Sequence, residues 1–460
     1  MTWIPSYWPS TLTPLLAAVA LVLWVACLAY RPNSLERHRR GTMIKHHRPR
    51  RWSPVRNGKY GENCIALAGV PLAQRDETKH FKLIGTTGTG KSTAIRELLG
   101  AALRRGDRAV ISDPDGAYLR SFGQRYRGDV ILNPFETGSV KWDLFTELRN
   151  DYDVDLLASA LIANSADTST QEWRGYARTF LAAVTRRCCQ LGIRDSAELW
   201  RLLTLAPLEE VRAMVQGTPA QAFLDPDNAR MFGSIRAVTT SAIGAMEYIQ
   251  TQRAAPFSVR AWIKSGGGAL FIPYCAGQIA ALRSMISAWI KLAIFEVMDG
   301  PEGLDQRLWF IVDELDALGA IDGLKDALAR LRKFGGRCVL GFQSIAQVSC
   351  VYGHGEAQTI VENCGNTLIL RCGSSENGGT AQFASRLIGE REVVRPQRTR
   401  ARDGQSPIGM RGSRRSVQIS EQRVIELAVL ASELEQLPDL AGYLKTASSK
   451  CWLRVDLARC

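Results

Sequence analysis

The chain lacks the patterns that mark several common protein classes. Its 11 cysteines include no Cys-x-x-Cys pair, and its five histidines form no cluster with cysteine at zinc-site spacing. These absences argue against a disulfide scaffold or a zinc module and fit a reducing compartment. Hydrophobic residues make up 46% and charged residues 22% of the 460-residue sequence. Such values are typical of folded chains, so wholesale disorder is excluded.

Charge is missing from the first 30 residues, and positive charge is concentrated in two later segments. Residues 31–59 contain ten Lys or Arg and one acid, and residues 391–415 contain eight Arg and two acids. The net charge of +13 therefore comes from these segments, and the rest of the chain is close to neutral. A basic chain usually has nucleic acid or an anionic membrane surface as a partner. Here the charge alone does not identify which.

The uncharged N-terminal run predicts a membrane anchor. Leu12–Tyr30 has 19 residues without charge, and as a helix it would span about 28 Å, close to a bilayer core. The positive-inside rule places the chain after this run in the cytoplasm. A cleaved signal peptide is the alternative, but the positive n-region of such peptides is absent. We predict a single transmembrane anchor in 1–30 and a basic juxtamembrane linker over 31–59.

A phosphate-binding loop follows a short predicted strand that ends at Ile84. The sequence Gly85-Thr86-Thr87-Gly88-Thr89-Gly90-Lys91-Ser92 matches G-x-x-x-x-G-K-[ST], and a helical run begins at Thr93. Strand, glycine-rich loop and helix in this order are typical of a P-loop. We predict that residues 85–93 bind the phosphates of a nucleotide, that Lys91 reaches the β- and γ-phosphates, and that Ser92 ligates Mg²⁺.

Acidic residues at the end of a second buried strand complete the predicted nucleotide site. Leu308–Val312 is a continuous apolar run, as expected for a parallel strand, and Asp313-Glu314 follow it. We predict that Asp313 holds the Mg²⁺ shell through water and that Glu314 positions or activates the attacking water. Gln343 ends the next predicted strand and is a candidate contact to the γ-phosphate or the water.

An arginine between these two strands is a candidate finger for a neighbouring subunit. Arg330 and Arg332 both lie on the intervening helix, and the sequence pattern does not choose between them or exclude a solvated role for both. The guanine-reading NKxD pattern and the LSGGQ signature are both absent, which disfavours a small GTPase and an ABC transporter.

Alternating apolar runs and helical patterns predict an α/β fold with a parallel central sheet. The alternation of strands and helices stops over residues 151–257. This segment contains one helical pattern after another, which indicates an all-α insertion. The sheet domain would then comprise 60–150 and 258–460, with the basic segment 391–415 as a mobile loop. The strands predicted, besides the one ending at Ile84, are Ala109–Ser112, Val130–Asn133, Ala269–Pro273, Leu308–Val312, Arg337–Gly341, Asn366–Arg371 and Cys451–Asp456.

In motif order the sequence resembles the conjugative type IV secretion coupling proteins of the TraD/TrwB kind. The likeness covers about 62–460. It rests on the anchor, the all-α insertion and these segments in order: Ile65–Val70, His80–Thr93, Asp113–Tyr118, Asn133–Phe135, Trp142–Phe145, Leu308–Leu315 and Gly341–Ser344.

The resemblance implies a RecA-like P-loop ATPase in the bacterial inner membrane. Relatives of this kind are thought to form hexamers around a DNA channel and to link a relaxase–DNA complex to the secretion channel. ATP and Mg²⁺ would be the cofactors, and single-stranded DNA would be bound with little sequence preference. The resemblance matches Lys91, Ser92, Asp313, Glu314 and Gln343 to the nucleotide site and Arg332 to the arginine one helix after the acidic strand. Many relatives have two membrane helices where this sequence predicts one.

Two other functions remain open at this point. The chain could be a substrate receptor in which nucleotide sets conformation and the all-α segment recognises a protein such as the relaxase. It could also be a DNA translocase of the FtsK/HerA type that acts outside conjugation.

Overall fold

The computed structural model describes residues 36–47, 64–165, 167–375, 378–402 and 415–458. The predicted anchor in 1–30 lies outside these residues, as does most of the predicted linker. None of the helices in the described ranges has the length and apolarity needed to cross a membrane.

The chain divides into two compact units. The smaller unit contains residues up to Gly41 together with Glu390–Leu427, and the larger one contains Thr42–Gly389 and Ala428–Cys460. The strands of both units, in chain order, are β1 Arg37–Gly41, β2 Ile44–His46, β3 Ala66–Leu67, β4 Val70–Pro71, β5 Phe81–Ile84, β6 Arg108–Pro114, β7 Val130–Ile131, β8 Lys141–Trp142, β9 Pro256–Phe257, β10 Ala269–Tyr274, β11 Leu308–Val312, β12 Gly336–Phe342, β13 Asn366–Ile369, β14 Glu390–Arg402, β15 Arg415–Leu427, β16 Ala441–Lys445 and β17 Trp452–Asp456.

A ten-stranded sheet forms the centre of the larger unit, in the order β2-β17-β16-β13-β5-β12-β11-β6-β10-β7. Every pair from β13 to β7 is parallel, whereas β16 pairs antiparallel with both β13 and β17. The predicted parallel sheet is therefore confirmed, with an antiparallel extension at one edge. Because the parallel strands share one direction, the loops after β5, β11 and β12 emerge at the same edge.

The described helices are short except for two. They are α1 Gln74–Glu77, α2 Lys91–Arg104, α3 Ala117–Phe122, α4 Asp151–Leu161, α5 Thr168–Gln190, α6 Ser196–Thr204, α7 Leu208–Val215, α8 Ala229–Ile243, α9 Met246–Thr251, α10 Val259–Ser265, α11 Ile279–Met298, α12 Leu324–Leu331, α13 Ile345–Tyr352, α14 His354–Asn363, α15 Gly379–Ile388 and α16 Ala431–Glu435.

The central strands are buried on both faces, which explains their unbroken apolar sequences. In β11, Leu308, Phe310 and Val312 join one hydrophobic cluster. Trp309 and Ile311 join a second cluster on the other side. Successive side chains of a strand point to opposite faces, so a strand covered on both sides needs apolar residues at every position.

The regular secondary structure in the described residues from Asp151 to Thr251 is entirely helical, as the sequence pattern predicts. The core of this segment includes Phe180 of α5 and Phe232 of α8, whose rings meet edge to face at 5.3 Å. Near the end of the segment, α8 and α9 are separate helices with Gly244 between them. The segment belongs to the larger unit, and its limits as a domain at 151 and 257 stay a prediction.

The smaller unit corrects the expectation of a mobile loop over 391–415. Residues 391–402 lie in β14 and Arg415 begins β15, whereas 403–414 are outside the described residues. The two strands pair antiparallel over 13 residue pairs, and β1 pairs with β14 on its other side. The segment 391–415 is rich in Arg, Gly, Ser, Pro and Gln, and this composition alone predicts a loop. The composition does not reveal the ion pairs between the strands.

These ion pairs are what make the charged strands compatible with a sheet. Arg391 and Arg395 both pair with Glu426 of β15 and with Glu36. Glu392 pairs with two arginines of β1. Opposite charges on facing strands stabilise a sheet, and these partners are distant in the sequence.

Candidate nucleotide-binding site

The loop between β5 and α2 has the backbone form of a phosphate cradle. Gly88 and Gly90 have φ values of +77° and +114°. Both lie in the left-handed region that glycine adopts without strain. Gly90 precedes α2 and contributes no side-chain cap, so the first-turn amide groups of the helix remain available as donors.

Two leucines from the end of the chain support this loop from behind. A Cβ on Gly90 would lie 2.9 Å from Leu440 Cδ2 and 3.0 Å from Leu457 Cδ1, and the φ of +114° would strain any other residue, so glycine is favoured here. Leu440 N donates a hydrogen bond to Thr89 O at 2.9 Å, and Leu440 itself has a φ of +65°. The loop is thus held by the residue before β16 and the residue after β17 as well as by its own strand.

The threonines of the loop are used in different ways. Thr86 N donates to Arg371 O at 2.9 Å, which joins the loop to the end of β13. Thr89 Oγ1 donates to Thr86 O at 2.7 Å and closes the turn. Thr87 Oγ1 instead donates to Gln343 Oε1 at 2.9 Å. Thr93 is half-buried in the first turn of α2.

Lys91 is folded back over the loop. Its Nζ donates to Gly85 O at 2.6 Å and to Thr86 O at 3.2 Å, and only 6% of the residue is exposed. Burial lowers the pKa of Lys91, while the carboxylates of Asp313 and Glu314 act in the opposite direction. An ammonium group held above inward-turned amides is the arrangement that binds nucleotide phosphates.

Asp313 and Ser92 form a candidate site for a divalent cation. Ser92 Oγ donates to Asp313 Oδ2 at 2.7 Å. Within the described residues the other carboxylate oxygen, Oδ1, is buried and has no hydrogen-bond partner. A hydroxyl and a carboxylate at the end of a phosphate loop are oxygen ligands of the type that Mg²⁺ prefers, so the residues fit this ion.

Glu314 and Gln343 meet beside the loop. Gln343 Nε2 donates to Glu314 Oε1 at 3.4 Å, and the Gln343 carbonyl accepts from Thr87. Burial raises the pKa of Glu314, and the neighbouring carboxylates of Asp313 and Asp316 raise it further. A glutamate with a raised pKa is a better proton acceptor and can activate a water molecule.

Arg332 is not brought to this cluster within one chain. It lies in an exposed turn, Arg332–Phe334, that precedes β12, whereas Gln343 follows β12. The two side chains therefore belong to opposite edges of the sheet. Any contact of Arg332 with a nucleotide would have to be made to another subunit.

Sequence reasoning missed Tyr118 and Asp113 as parts of the site. Tyr118 OH donates to Asp313 Oδ2 at 2.7 Å. Burial raises the pKa of Tyr118, as does Asp313, which keeps the phenol protonated as a donor. Asp113, near the end of β6, accepts from the backbone N–H groups of Tyr118 and Leu119 at 2.9 and 2.7 Å. The Asp113–Tyr118 motif contained the signal, but nothing local relates it to Asp313.

Opposing influences act on the charge of Asp113. Burial raises its pKa to about 6, although the two backbone N–H groups it accepts from favour the charged form. The carboxylate caps α3 from the preceding strand.

Comparisons with known proteins agree with this geometry. Residues 64–458 match the family described as the type IV secretion-system coupling protein DNA-binding domain. The coupling protein TraD of Escherichia coli (strain K12) is 31% identical over 393 residues, which are 83% of this chain and 53% of TraD. The chain therefore spans about half the length of that relative.

Solved structures of the plasmid coupling protein TrwB have the same fold. The complex of TrwB with the non-hydrolysable ATP analogue ADPNP is 30% identical, with a TM-score of 0.77, and the match covers 92% of this chain and 94% of that one. The complex with ADP and Mg²⁺ is 31% identical, with a TM-score of 0.75 and coverage of 88% and 89%.

Proposed function

The chain belongs to the type IV secretion-system coupling proteins, and from this premise we propose that it is a membrane-anchored ATPase that couples ATP hydrolysis to DNA transfer in conjugation. The DNA would travel with its relaxase to the secretion channel. The observation that carries the proposal is the convergence of the phosphate loop, the Asp313–Glu314 pair and Gln343 at one edge of the sheet. Family membership favours this function over a translocase outside conjugation.

ATP and Mg²⁺ are the proposed cofactors, supported by the TrwB complexes with ADPNP and with ADP and Mg²⁺. Residues 85–93 would bind the phosphates, and Ser92 and Asp313 would hold the cation, which neutralises phosphate charge when bound. Lys91 would contact the transferred phosphoryl group. Glu314 would take a proton from the attacking water, and Gln343 would orient that water.

Arg332 is proposed to act on the nucleotide of a neighbouring subunit. Its place at the edge of the sheet opposite Gln343 supports a role outside its own site, and an arginine supplied in trans stabilises the charge that develops during phosphoryl transfer. This role requires an oligomer in which each site meets the next subunit, and we propose a homo-hexamer.

The proposed partners are DNA, a relaxase and the channel proteins. DNA contact would be mainly to phosphates, so the affinity for DNA should depend little on base sequence and should decrease with salt concentration. The helical segment 151–257 is proposed as an insertion domain. Residues 1–30 are proposed as a single membrane anchor in the bacterial inner membrane, with 31–59 and the bulk of the chain on its cytoplasmic side.

The test is ATPase activity of the detergent-solubilised full chain, with and without single-stranded and duplex DNA at low salt. We expect turnover that DNA stimulates and that Lys91→Ala abolishes. An activity that ignores every form of DNA after assembly has been verified would contradict the proposed coupling to DNA.

The receptor function has a specific observation in its favour. The helical segment exposes large aromatic side chains, with Tyr152 65%, Trp173 38% and Tyr248 45% exposed. Such side chains are common in protein-binding surfaces. Full transfer by a Lys91→Ala variant would favour the receptor function, since a motor would stop.

A further inference from the structure

The hydroxyl group of Tyr118 contacts the carboxylate that would hold the cation. Tyr118 is 1% exposed, and its hydroxyl lies 2.7 Å from Asp313 Oδ2. Ser92 Oγ donates to the same oxygen at 2.7 Å. Two donors on one oxygen fix the rotation of the carboxylate group and leave Oδ1 as its remaining acceptor.

The position of Tyr118 is itself fixed by the neighbouring strand. Its backbone N–H is bound by Asp113 at 2.9 Å, and Asp113 lies on β6, which pairs directly with β11. The guanidinium group of Arg96, from α2, lies 5.9 Å from the centre of the Tyr118 ring. The backbone of Tyr118 is therefore held from β6, a different strand from the one that carries the phosphate loop.

The two donors differ in what they can do when a cation is present. A serine hydroxyl rotates freely and, in the proposed function, is also a ligand of Mg²⁺. The phenol oxygen lies in the plane of a buried ring and has one hydrogen to donate. Tyr118 is thus the donor that is not itself a proposed ligand of the cation.

We propose that Tyr118 is a positioning residue for the cation site, because its hydroxyl holds the Asp313 carboxylate in the orientation that receives nucleotide-bound Mg²⁺. The inference rests on the proposed function, since it assumes that the loop binds a nucleotide with its cation. Groups that orient a metal ligand typically contribute about 10- to 100-fold to metal affinity.

The experiment measures ADP affinity of the full chain in Mg²⁺ and in EDTA, for the wild type and for Tyr118→Phe. We expect the variant to bind ADP about 10-fold more weakly in Mg²⁺ and equally well in EDTA. Tyr126→Phe is the matched control, because Tyr126 is 87% exposed and should bind as the wild type does in both conditions.

The outcomes separate the inference from the proposed function. A wild-type chain that binds no ADP in either condition would refute the nucleotide site altogether. A wild type that binds ADP and a Tyr118→Phe variant with unchanged affinity, or with equal losses in Mg²⁺ and in EDTA, would refute the positioning role alone. A melting temperature measured on each variant shows whether it is folded.

A second variant keeps the hydroxyl and disturbs its support. Asp113→Asn removes one of the two acceptors that hold the backbone of α3 at Tyr118 and Leu119. We expect a smaller loss of ADP affinity that again appears only with Mg²⁺. If Tyr118→Phe fails to fold, this variant decides the question, and an affinity loss independent of Mg²⁺ would overturn the proposal.

Discussion

At the scale of single residues, the candidate site depends on carboxylates whose environments differ. Asp313 is bound by two hydroxyl donors, whereas Glu314 accepts from an amide at 3.4 Å and has a raised pKa. The first arrangement suits a fixed ligand, and the second suits a group that takes up a proton. We therefore propose separate roles for these two adjacent residues at the end of one strand.

Replacing Glu314 tests this division. Glu314→Gln should keep nucleotide affinity within about twofold and reduce ATP turnover by 100-fold or more, since a positioned base contributes about 10²- to 10⁴-fold. Single-turnover hydrolysis and ADP binding, measured side by side, check both parts. Glu302→Gln, at an exposed position, is the control. A loss of nucleotide binding in Glu314→Gln would mean that Glu314 has a structural role.

The residues predicted from sequence are those that a contiguous motif identifies. The phosphate loop and the Asp313-Glu314 pair can be predicted from the sequence because residues that are adjacent in these motifs are also adjacent in space. Tyr118, Arg371 and Leu440 join the same site through contacts over long sequence separations. No local pattern marks a tyrosine as the partner of a carboxylate 195 residues away.

At the scale of elements, helix α11 connects the helical segment to the loop that follows Glu314. Its buried Lys291 donates to Asp322 Oδ2 at 2.6 Å and to Ser159 Oγ at 2.8 Å. Asn164 donates to the other oxygen of Asp322 at 2.6 Å. Burial lowers the pKa of Lys291, and Asp322 opposes that change.

Removing one partner of the Lys291–Asp322 ion pair should destabilise the chain more than removing both partners. Asp322→Asn leaves a buried ammonium without its counter-charge and should destabilise the chain by about 3 kcal/mol. The double variant Asp322→Asn with Lys291→Met should recover part of that loss, because no buried charge is left. Melting temperatures of both variants check this. A double variant less stable than Asp322→Asn would show that the ion pair is not the cause.

A buried carboxylate at the start of α10 predicts a pH effect on stability. Glu147 accepts from Trp142 Nε1, Ser258 Oγ and Val259 N at 2.8, 2.9 and 2.7 Å, and burial raises its pKa to about 7. The folded state therefore keeps a proton that the unfolded chain releases above about pH 4.5. The stabilising contribution is complete below that pH and is lost as the pH rises through 7.

The variant Glu147→Gln cannot titrate, so its stability should change less between pH 5 and pH 8. We expect the wild type to lose about 2 to 3 kcal/mol more than the variant over this interval. Thermal melts at both pH values measure the difference, and exposed Glu136→Gln should behave as the wild type. Equal pH dependence in the wild type and Glu147→Gln would place the pKa of Glu147 outside this range.

Elements with a clear pattern of apolar residues were predicted well, and strands that depend on contacts between distant residues were not. Leu308–Val312 was predicted with the bounds that β11 has, because both faces of a buried strand must be apolar. Strands β14 and β15 were missed, because their backbone pairing and ion pairs join residues that are distant in the sequence, such as Arg391 and Glu426. Such pairs are visible only after the chain has folded.

At the scale of the whole molecule, the proposed role of Arg332 predicts that ATP turnover depends on the interface between neighbouring subunits. Arg332→Ala alone should abolish most turnover, since an arginine supplied in trans contributes about 10³- to 10⁵-fold. Lys91→Ala alone should also be inactive. In mixed assemblies, an inactive Lys91→Ala subunit can offer its intact Arg332 to the site of a neighbouring Arg332→Ala subunit.

Turnover of such mixtures, measured against the mixing ratio, should pass through a maximum. Arg330→Ala is the matched control, because Arg330 is also exposed and only two residues away, and it should retain activity alone. A mixture no more active than its two components would contradict the role of Arg332 across an interface.

The leucine support of the phosphate loop has a consequence for biosynthesis. Gly90 is synthesised early, but Leu440 and Leu457, which fill the space behind it, are translated some 350 residues later. At roughly 5 to 20 residues per second, this interval lasts about 20 to 70 s. We expect a ribosome-bound chain to leave its nucleotide loop unsupported throughout that time, so that ATP should not bind a subunit stably before Leu457 has been made.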